Sequence, residues 1–380
     1  GLAAAGLHPV SLGVVPTPAV ARAVRDSDAV LGVVITASHN PASDNGIKFF
    51  LRDGTKLSDE QEGEIESLLP EFAAIGTLIL EEETSARSAY QQEMLQHLPS
   101  QALSGWKIVL DTANGATAAT SAFVLRALGA DLVQMGSTPD GANINAEVGS
   151  EHPEKMAVAV VQQGARLGIA HDGDGDRCIF CDETGAVLDG DEVLTLLAMN
   201  GIKHGELAEN ILVVTVQSNL GVDAAVKAAG GRVLRTDVGD RYVGEAMRQH
   251  GASLGGESSG HLICPRIGPS GDGLGAALLV LQVMQRTGQP LSVLRKGLVK
   301  FPQQTGALKV AEKKPLADCR TLSAEILALE SELGEQGRIL VRYSGTEAKL
   351  RLLIEGPDDA TVTAGYARLR NAAAADLTLV

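Results

Sequence analysis

The chain has 380 residues, a formal net charge of -15 at pH 7, 44% apolar residues and 3% aromatic ones. That length exceeds what one core serves, so about two to four domains with aliphatic cores are expected, and the acidic balance, with no Lys/Arg cluster interleaved with aromatics, speaks against nucleic-acid binding. No run is apolar enough to span a bilayer and residues 1–6 lack the basic start of a secretion signal, so a cytoplasmic enzyme is expected, one whose anionic ligands need a locally basic pocket.

Taken in chain order, residues 2–12 read as a helix end followed by a strand. Residues 29–36 form a short apolar, β-rich run that stops in polar residues, which puts Ser38 on a strand-end loop. In Thr36-Ala37-Ser38-His39-Asn40-Pro41 the hydroxyl has His39 beside it and Lys48 beyond a turn expected at Asn45-Gly46, the activating groups a serine nucleophile needs. The plainer reading makes Ser38 and Asn40 ordinary turn residues. Residues 107–111, 115–128 and 130–135 read as strand, helix and strand, one βαβ unit, and residues 211–216, 220–229 and 232–236 repeat it. Residues 2–12 match only the back half of that pattern, so the chain is expected to begin inside its first unit. Each copy leads to Leu-Gly and then a polar loop: Leu31-Gly32 before Ser38, Leu167-Gly168 before Asp172, Leu254-Gly255 before Glu257. After residue 300 the pattern changes to strand, helix, paired strands and helix. The expected domains are 1–98, 99–204, 205–300 and 301–380.

The second loop, Asp172-Gly173-Asp174-Gly175-Asp176-Arg177, carries the sharpest chemistry. Its three carboxylates on alternate residues can converge on one hard cation, with positions left open for a phosphate oxygen. A calcium EF-hand is the rival, since Glu183 falls at position 12. Arg177 stands where that motif demands glycine, however, and both flanks look like strands, which favours a metal-binding hairpin. Cys178 and Cys181 have C-x-x-C spacing but lie in a strand, where that offset points them to opposite faces, so buried free thiols are expected. The third loop, with Glu257, Ser259 and His261, can hydrogen-bond vicinal hydroxyls; Asp240 and Arg241 lie just upstream. The fourth, Arg342-Tyr343-Ser344-Gly345-Thr346-Glu347, with Lys349 and Arg351 behind it, suits a phosphate through arginine's fork and freed backbone amides.

These four loops, in this order and one per domain, resemble the α-D-phosphohexomutase family across essentially the whole chain. Residues 217–221 and 238–243 are most similar to its bacterial branch acting on glucosamine phosphates. The resemblance implies an α/β fold: three related α/β domains with mixed sheets around a cleft plus a C-terminal α+β domain. It implies a mutase interconverting hexose 6-phosphate and 1-phosphate through phosphorylated Ser38 and a sugar bisphosphate, which also serves as activator. One Mg2+ would be held by Asp172, Asp174, Asp176 and an oxygen on Ser38. By the same resemblance Lys48 and His39 are acid/base groups and Arg177 steadies charge near the metal. Glu257, Ser259, His261 and Arg241 would face the sugar; Arg342, Ser344, Gly345, Thr346 and Arg351 would grip the non-reacting phosphate. By the same resemblance the family's N-terminal segment is expected to be missing ahead of residue 1, and Tyr343 and Ala348 stand where many relatives carry proline. A magnesium-dependent phosphatase and a non-catalytic sugar-phosphate sensor are the alternative functions, and the preferred sugar and the oligomeric state, including a homodimer, stay open.

Overall fold

The computed structural model describes residues 2–3, 6–68, 82–344 and 347–380. They divide into two compact units, Gly1–Gln217 with Ala229–Gly297, and Ser218–Ala228 with Leu298–Val380.

The first unit opens with helix α1 (Thr17–Arg25), started by Pro16 and Pro18 in positions that need no amide donor. Strand β1 (Leu31–Ile35) pairs antiparallel with β2 (Ile47–Leu51), Ile35 opposite Ile47, so the Ser38 segment is the tip of a hairpin. α1 seats on β1 over Gly32, where a Cβ would meet Val20 and Val24. Helix α2 (Asp59–Ser67) begins at a reciprocal Ser58/Gln61 capping box, and α3 (Ser85–Leu95) buries Tyr90 and Met94. The expected Asn45-Gly46 turn is displaced: Thr36 N already donates to Gly46 O at 2.9 Å, so Gly46 continues the ladder and the chain turns earlier, where Asp44 N donates to Pro41 O. Residues 7–12 form no strand either. Pro9 offers no N–H, Gly13 takes φ +66°, and a single bridge joins Ser11 to Glu82.

The next sheet comprises β3 (Lys107–Asp111), β4 (Asp131–Met135), β5 (Leu167–His171), β6 (Cys178–Asp182) and β7 (Val187–Leu188), ordered β4-β3-β5-β6-β7. Helix α4 (Ser121–Ala127) links β3 to the parallel β4 in the expected order but starts at residue 121, the expected first turns at 115–120 being non-helical, and α5 (Glu154–Gln163) leads into β5. The β5–β6 hairpin carries the aspartate loop and is buried along both strands, which is why these segments read as continuous apolar runs. Cys181 packs with Val109, Met156 and Val160, while Cys178 lines a different space with Val193, Leu194 and Ala276; all four cysteines are free and buried.

Helix α6 (Gly190–His204) precedes the third sheet. That sheet holds β8 (Ile211–Thr215), the parallel β9 (Arg232–Thr236), β10 (Gly255–Gly256) and β11 (Leu262–Ile263), ordered β11-β10-β8-β9. Helix α7 (Leu220–Ala228), between β8 and β9 in the chain, groups with the C-terminal unit. α8 (Asp240–His250) follows β9, and α9 (Gly273–Thr287) starts where Asp272 accepts Gly275 N. Short α10 (Leu291–Leu294) closes this unit.

In the C-terminal unit β12 (Gln303–Lys309), β13 (Arg338–Tyr343) and β14 (Lys349–Glu355) form an antiparallel sheet ordered β12-β14-β13. Helices α11 (Arg320–Leu333) and α12 (Asp359–Asp376) enclose with it a core of Leu322, Leu329, Leu350, Leu352, Ile354 and Leu369. Among the described residues no helix is long and apolar enough to cross a membrane.

Candidate functional site

Ser38 adopts φ +56°, a left-handed conformation that costs a residue bearing a Cβ about 1 kcal/mol or more. The loop is held there from both sides. Thr36 Oγ1 accepts Ser38 N at 2.9 Å, and Asn145 Nδ2 donates to Ser38 O at 2.9 Å and Asn40 O at 2.8 Å. The hydroxyl, thus aimed, donates to Asp172 Oδ2 at 2.8 Å.

Asp172, Asp174 and Asp176 are buried, and ligand atoms from all three lie within 4.8 Å of one another. Two glycines shape their loop: Gly175 takes φ +75°, and a Cβ on Gly173 would lie 2.7 Å from Ser38 O, so only glycine lets loop and serine backbone approach. Asp172 Oδ1 accepts Gly175 N and Arg177 N, each at 3.1 Å. Lys48 Nζ donates to Asp174 Oδ2 at 2.6 Å and Asp176 Oδ2 at 2.9 Å, and Thr17 Oγ1 donates to Asp174 Oδ2 at 2.7 Å. Asp174 Oδ1 is buried and accepts no hydrogen bond among the described residues. Burial, and then the Asp176 and Asp174 charges, push the Asp172 carboxyl well above its usual range. Lys48 goes up as well, burial being outweighed by Asp176 and Asp174. Two orphaned carboxylate oxygens, Asp174 Oδ1 and Asp176 Oδ1, among three mutually repelling, all-oxygen donors fit a hard divalent cation. The EF-hand alternative is excluded, because strands β5 and β6 flank the loop and Glu183 turns away to Ser292.

The third loop is stitched to the second: Cys178 N donates to Gly260 O at 3.0 Å and a β-bridge joins Arg177 to His261. His261 is 4% exposed, its Nδ1 3.5 Å from Asp176 Oδ1 and its Nε2 3.1 Å from Asp240 Oδ2. Burial alone would lower its pKa, but Asp176 and Asp240 outweigh it and raise it to about 10. Glu257 Oε1 accepts Gly239 N at 3.1 Å, and Ser259 Oγ is buried without a partner among the described residues. His39 is half-buried, its pKa lowered by burial and then by Arg177; Arg177 itself pairs with Glu151 at 3.4 Å. Arg241 is engaged by Asp59 and, at 3.1 Å, by Glu62.

Arg342 and Arg351 stand directly opposite each other in the register of β13 and β14, which brings two guanidinium-bearing residues to one place on the sheet. Ser344 N donates to Lys349 O at 2.8 Å, and Lys313 Nζ donates to Ser344 O at 2.7 Å, adding a cation to the same loop. Gly345 and Thr346 lie outside the described residues.

Four family models match in chain order: phosphoglucomutase/phosphomannomutase alpha/beta/alpha domain I over residues 1–73, domain II over 88–185, domain III over 189–301 and the C-terminal domain over 307–372. The chain belongs to the phosphoglucomutase/phosphomannomutase family. It is 44% identical over 366 residues to the phosphoglucosamine mutase of Nitratidesulfovibrio vulgaris strain DP4, spanning 94% of this chain and 81% of that one. It is also 44% identical over 378 residues to that of Geobacter metallireducens, spanning 97% and 83%. Its fold matches the crystal structure of a phosphoglucomutase/phosphomannomutase family protein from Burkholderia thailandensis with a TM-score of 0.80 at 23% identity, over 99% of this chain and 85% of that one. The Aspergillus fumigatus N-acetylphosphoglucosamine mutase, solved in complex with GlcNAc-6P and magnesium, matches with a TM-score of 0.67 at 20% identity, over 94% and 91%.

Sequence reading missed Thr17, Asn145 and Lys56, and it placed Asp240 beside Arg241 without giving it a partner. The partners of all four lie far along the chain. His171 ends β5, immediately ahead of the aspartate loop. It is fully buried, its Nε2 3.1 Å from Ser121 Oγ and its Nδ1 3.2 Å from Arg177 O, and burial pushes its pKa down to about 4, so a neutral ring braces both ends of the aspartate loop.

Proposed function

We propose that this family member interconverts glucosamine 6-phosphate and glucosamine 1-phosphate by way of phosphorylated Ser38 and a bisphosphorylated sugar that also acts as activator. The observation that carries the reading is Ser38 Oγ hydrogen-bonded to Asp172 within a buried three-carboxylate loop, set beside 44% identity to curated phosphoglucosamine mutases. In the first half-reaction the Ser38 Oγ–P bond breaks as a sugar hydroxyl oxygen bonds to phosphorus, and the hydroxyl proton passes to a nearby base. After the bisphosphate reorients, Ser38 Oγ takes the other phosphoryl group and a proton returns to the sugar oxygen. Lys48 and His39 are the acid/base groups in this scheme, and Arg177 balances charge beside the loop. Asp172, Asp174, Asp176 and an oxygen on Ser38 would hold the cation, taken as Mg2+; when bound, it supplies electrostatic stabilisation of the transferring group. Glu257, Ser259, His261 and Arg241 serve the sugar, and Arg342, Ser344, Gly345, Thr346 and Arg351 the non-reacting phosphate. The four functional segments are assigned to domains 1–98, 99–204, 205–300 and 301–380.

A coupled assay on glucosamine, glucose and mannose 6-phosphates tests the substrate. The highest kcat/KM is expected for glucosamine 6-phosphate. Faster turnover of either neutral sugar would reassign the enzyme within its family, and phosphate release without isomerised product would identify a phosphatase.

A further inference from the structure

Asp176 stands at one end of a line of ionisable side chains that leaves the aspartate loop. His261 Nδ1 lies 3.5 Å from Asp176 Oδ1 and its Nε2 lies 3.1 Å from Asp240 Oδ2, ion-pair distances at which neither Asp176 Oδ1 nor His261 Nε2 has an aligned hydrogen-bond partner among the described residues. The same Asp240 oxygen is ion-paired with Lys56 Nζ. Asp240 is the first residue of α8, and Lys56 lies just beyond β2, held alongside it by a bridge to Phe50. Both ends of this line are therefore anchored in regular structure. His261 is nearly inaccessible, so its ring has no solvent with which to replace a lost partner. Next to Asp240, Arg241 and Tyr242 hold Asp59 and, through Arg241, Glu62, a separate clasp onto the start of α2.

We propose that Lys56 and Asp240 are positioning residues for the cation site: their ion pair fixes the His261 ring, and His261 fixes the Asp176 carboxylate. The inference rests on the reading of the aspartate triad as a divalent-cation site. A carboxylate free to rotate would present its oxygens to a cation only part of the time. Outer partners of metal ligands change affinity by about 10- to 100-fold when removed, and members of one network lose less together than their separate losses imply.

The test is calorimetric titration of the full-length protein with Mg2+, beside kcat and KM for the sugar phosphate. Asp240→Ala and Lys56→Met should each weaken Mg2+ binding by about 10-fold or more, the double variant by little more than either, and Lys56→Arg should restore most of the loss. Circular dichroism and melting temperature check that the variants fold. Asp59→Asn, which breaks only the neighbouring clasp, should leave Mg2+ affinity within about twofold, as surface ion pairs contribute little. Unchanged Mg2+ affinity in folded Asp240→Ala and Lys56→Met would overturn the inference alone. So would an equal loss in Asp59→Asn, which would make the effect one of the clasp, or a rise in KM with Mg2+ affinity unchanged, which would make Lys56 a ligand of the substrate. Absence of Mg2+ binding to the unsubstituted protein would overturn the cation reading and this inference with it.

Discussion

Asp174 splits its work between two oxygens: Oδ2 takes Thr17 and Lys48, while Oδ1 is buried and accepts nothing from the described residues. Asp174→Asn keeps the shape and removes a charge from a three-carboxylate donor set, so Mg2+ should bind more weakly and turnover should fall by about 10-fold or more, with partial rescue at high Mg2+. Calorimetry and steady-state rates at several Mg2+ concentrations decide it. If chelators leave turnover of the unsubstituted protein unchanged, the cation assignment fails. Ser38→Ala should keep the fold and lower turnover by roughly a thousandfold or more, the usual cost of a lost nucleophile. Intact mass should then show one phosphate on the parent and none on the variant. At this scale the grouping of Ser38 with the three aspartates was legible as a candidate site, because these residues interrupt apolar runs with groups that have no core use. Their supports were not: Ser38 and Asp172 are 134 positions apart, Lys48 and Asp174 126, and Lys56 and Asp240 184, separations across which no local periodicity speaks.

Among the elements, the β6–β7 hairpin depends on one buried side chain. Asp182 Oδ1 accepts Thr184 N at 2.9 Å, Thr184 Oγ1 at 2.6 Å and Ala186 N at 3.1 Å, and Oδ2 accepts Arg295 at 3.1 Å. Burial would raise its pKa, but these donors outweigh burial and lower it below the ordinary 3.8. A carboxyl that gives up its proton more readily when folded adds stability above the unfolded value, and that stability is lost as pH falls through the folded one. Asp182→Asn should therefore unfold at lower urea near pH 7, by about 1 to 3 kcal/mol, and the gap from the parent should narrow below pH 3.8. A gap that is constant with pH would mean the charge contributes nothing. Element types were largely readable: β3, α4 and β4 follow the expected βαβ order, and β8, α7 and β9 repeat it. Where reading failed, a ladder had been cut short, at Gly46, or extended over residues that cannot sustain one, at Pro9 and Gly13.

For the molecule as a whole, the C-terminal unit is assembled from two separate stretches. Glu355 is fully buried; its Oε2 accepts Leu220 N at 3.1 Å and Arg338 Nε at 2.6 Å, and Arg338 Nη2 donates to Ser218 O. Asn219 Nδ2 donates to Phe301 O at 3.0 Å, and Asn219 Oδ1 accepts Phe301 N at 2.9 Å. The backbone consequently passes between units at 217/218, 228/229 and 297/298. A chimera that imports only residues 298–380 from a relative would set foreign side chains against the native 218–228 stretch, including Asn219, whose side chain holds Phe301 and Gln303. Importing residues 218–228 together with 298–380 should instead preserve a single sharp melting transition, while the one-piece graft should melt earlier or in two steps, as calorimetry would show. Exchanges between this chain and a relative should accordingly be tolerated in linked pairs, because a helix of nine residues lies far upstream of the segment it completes.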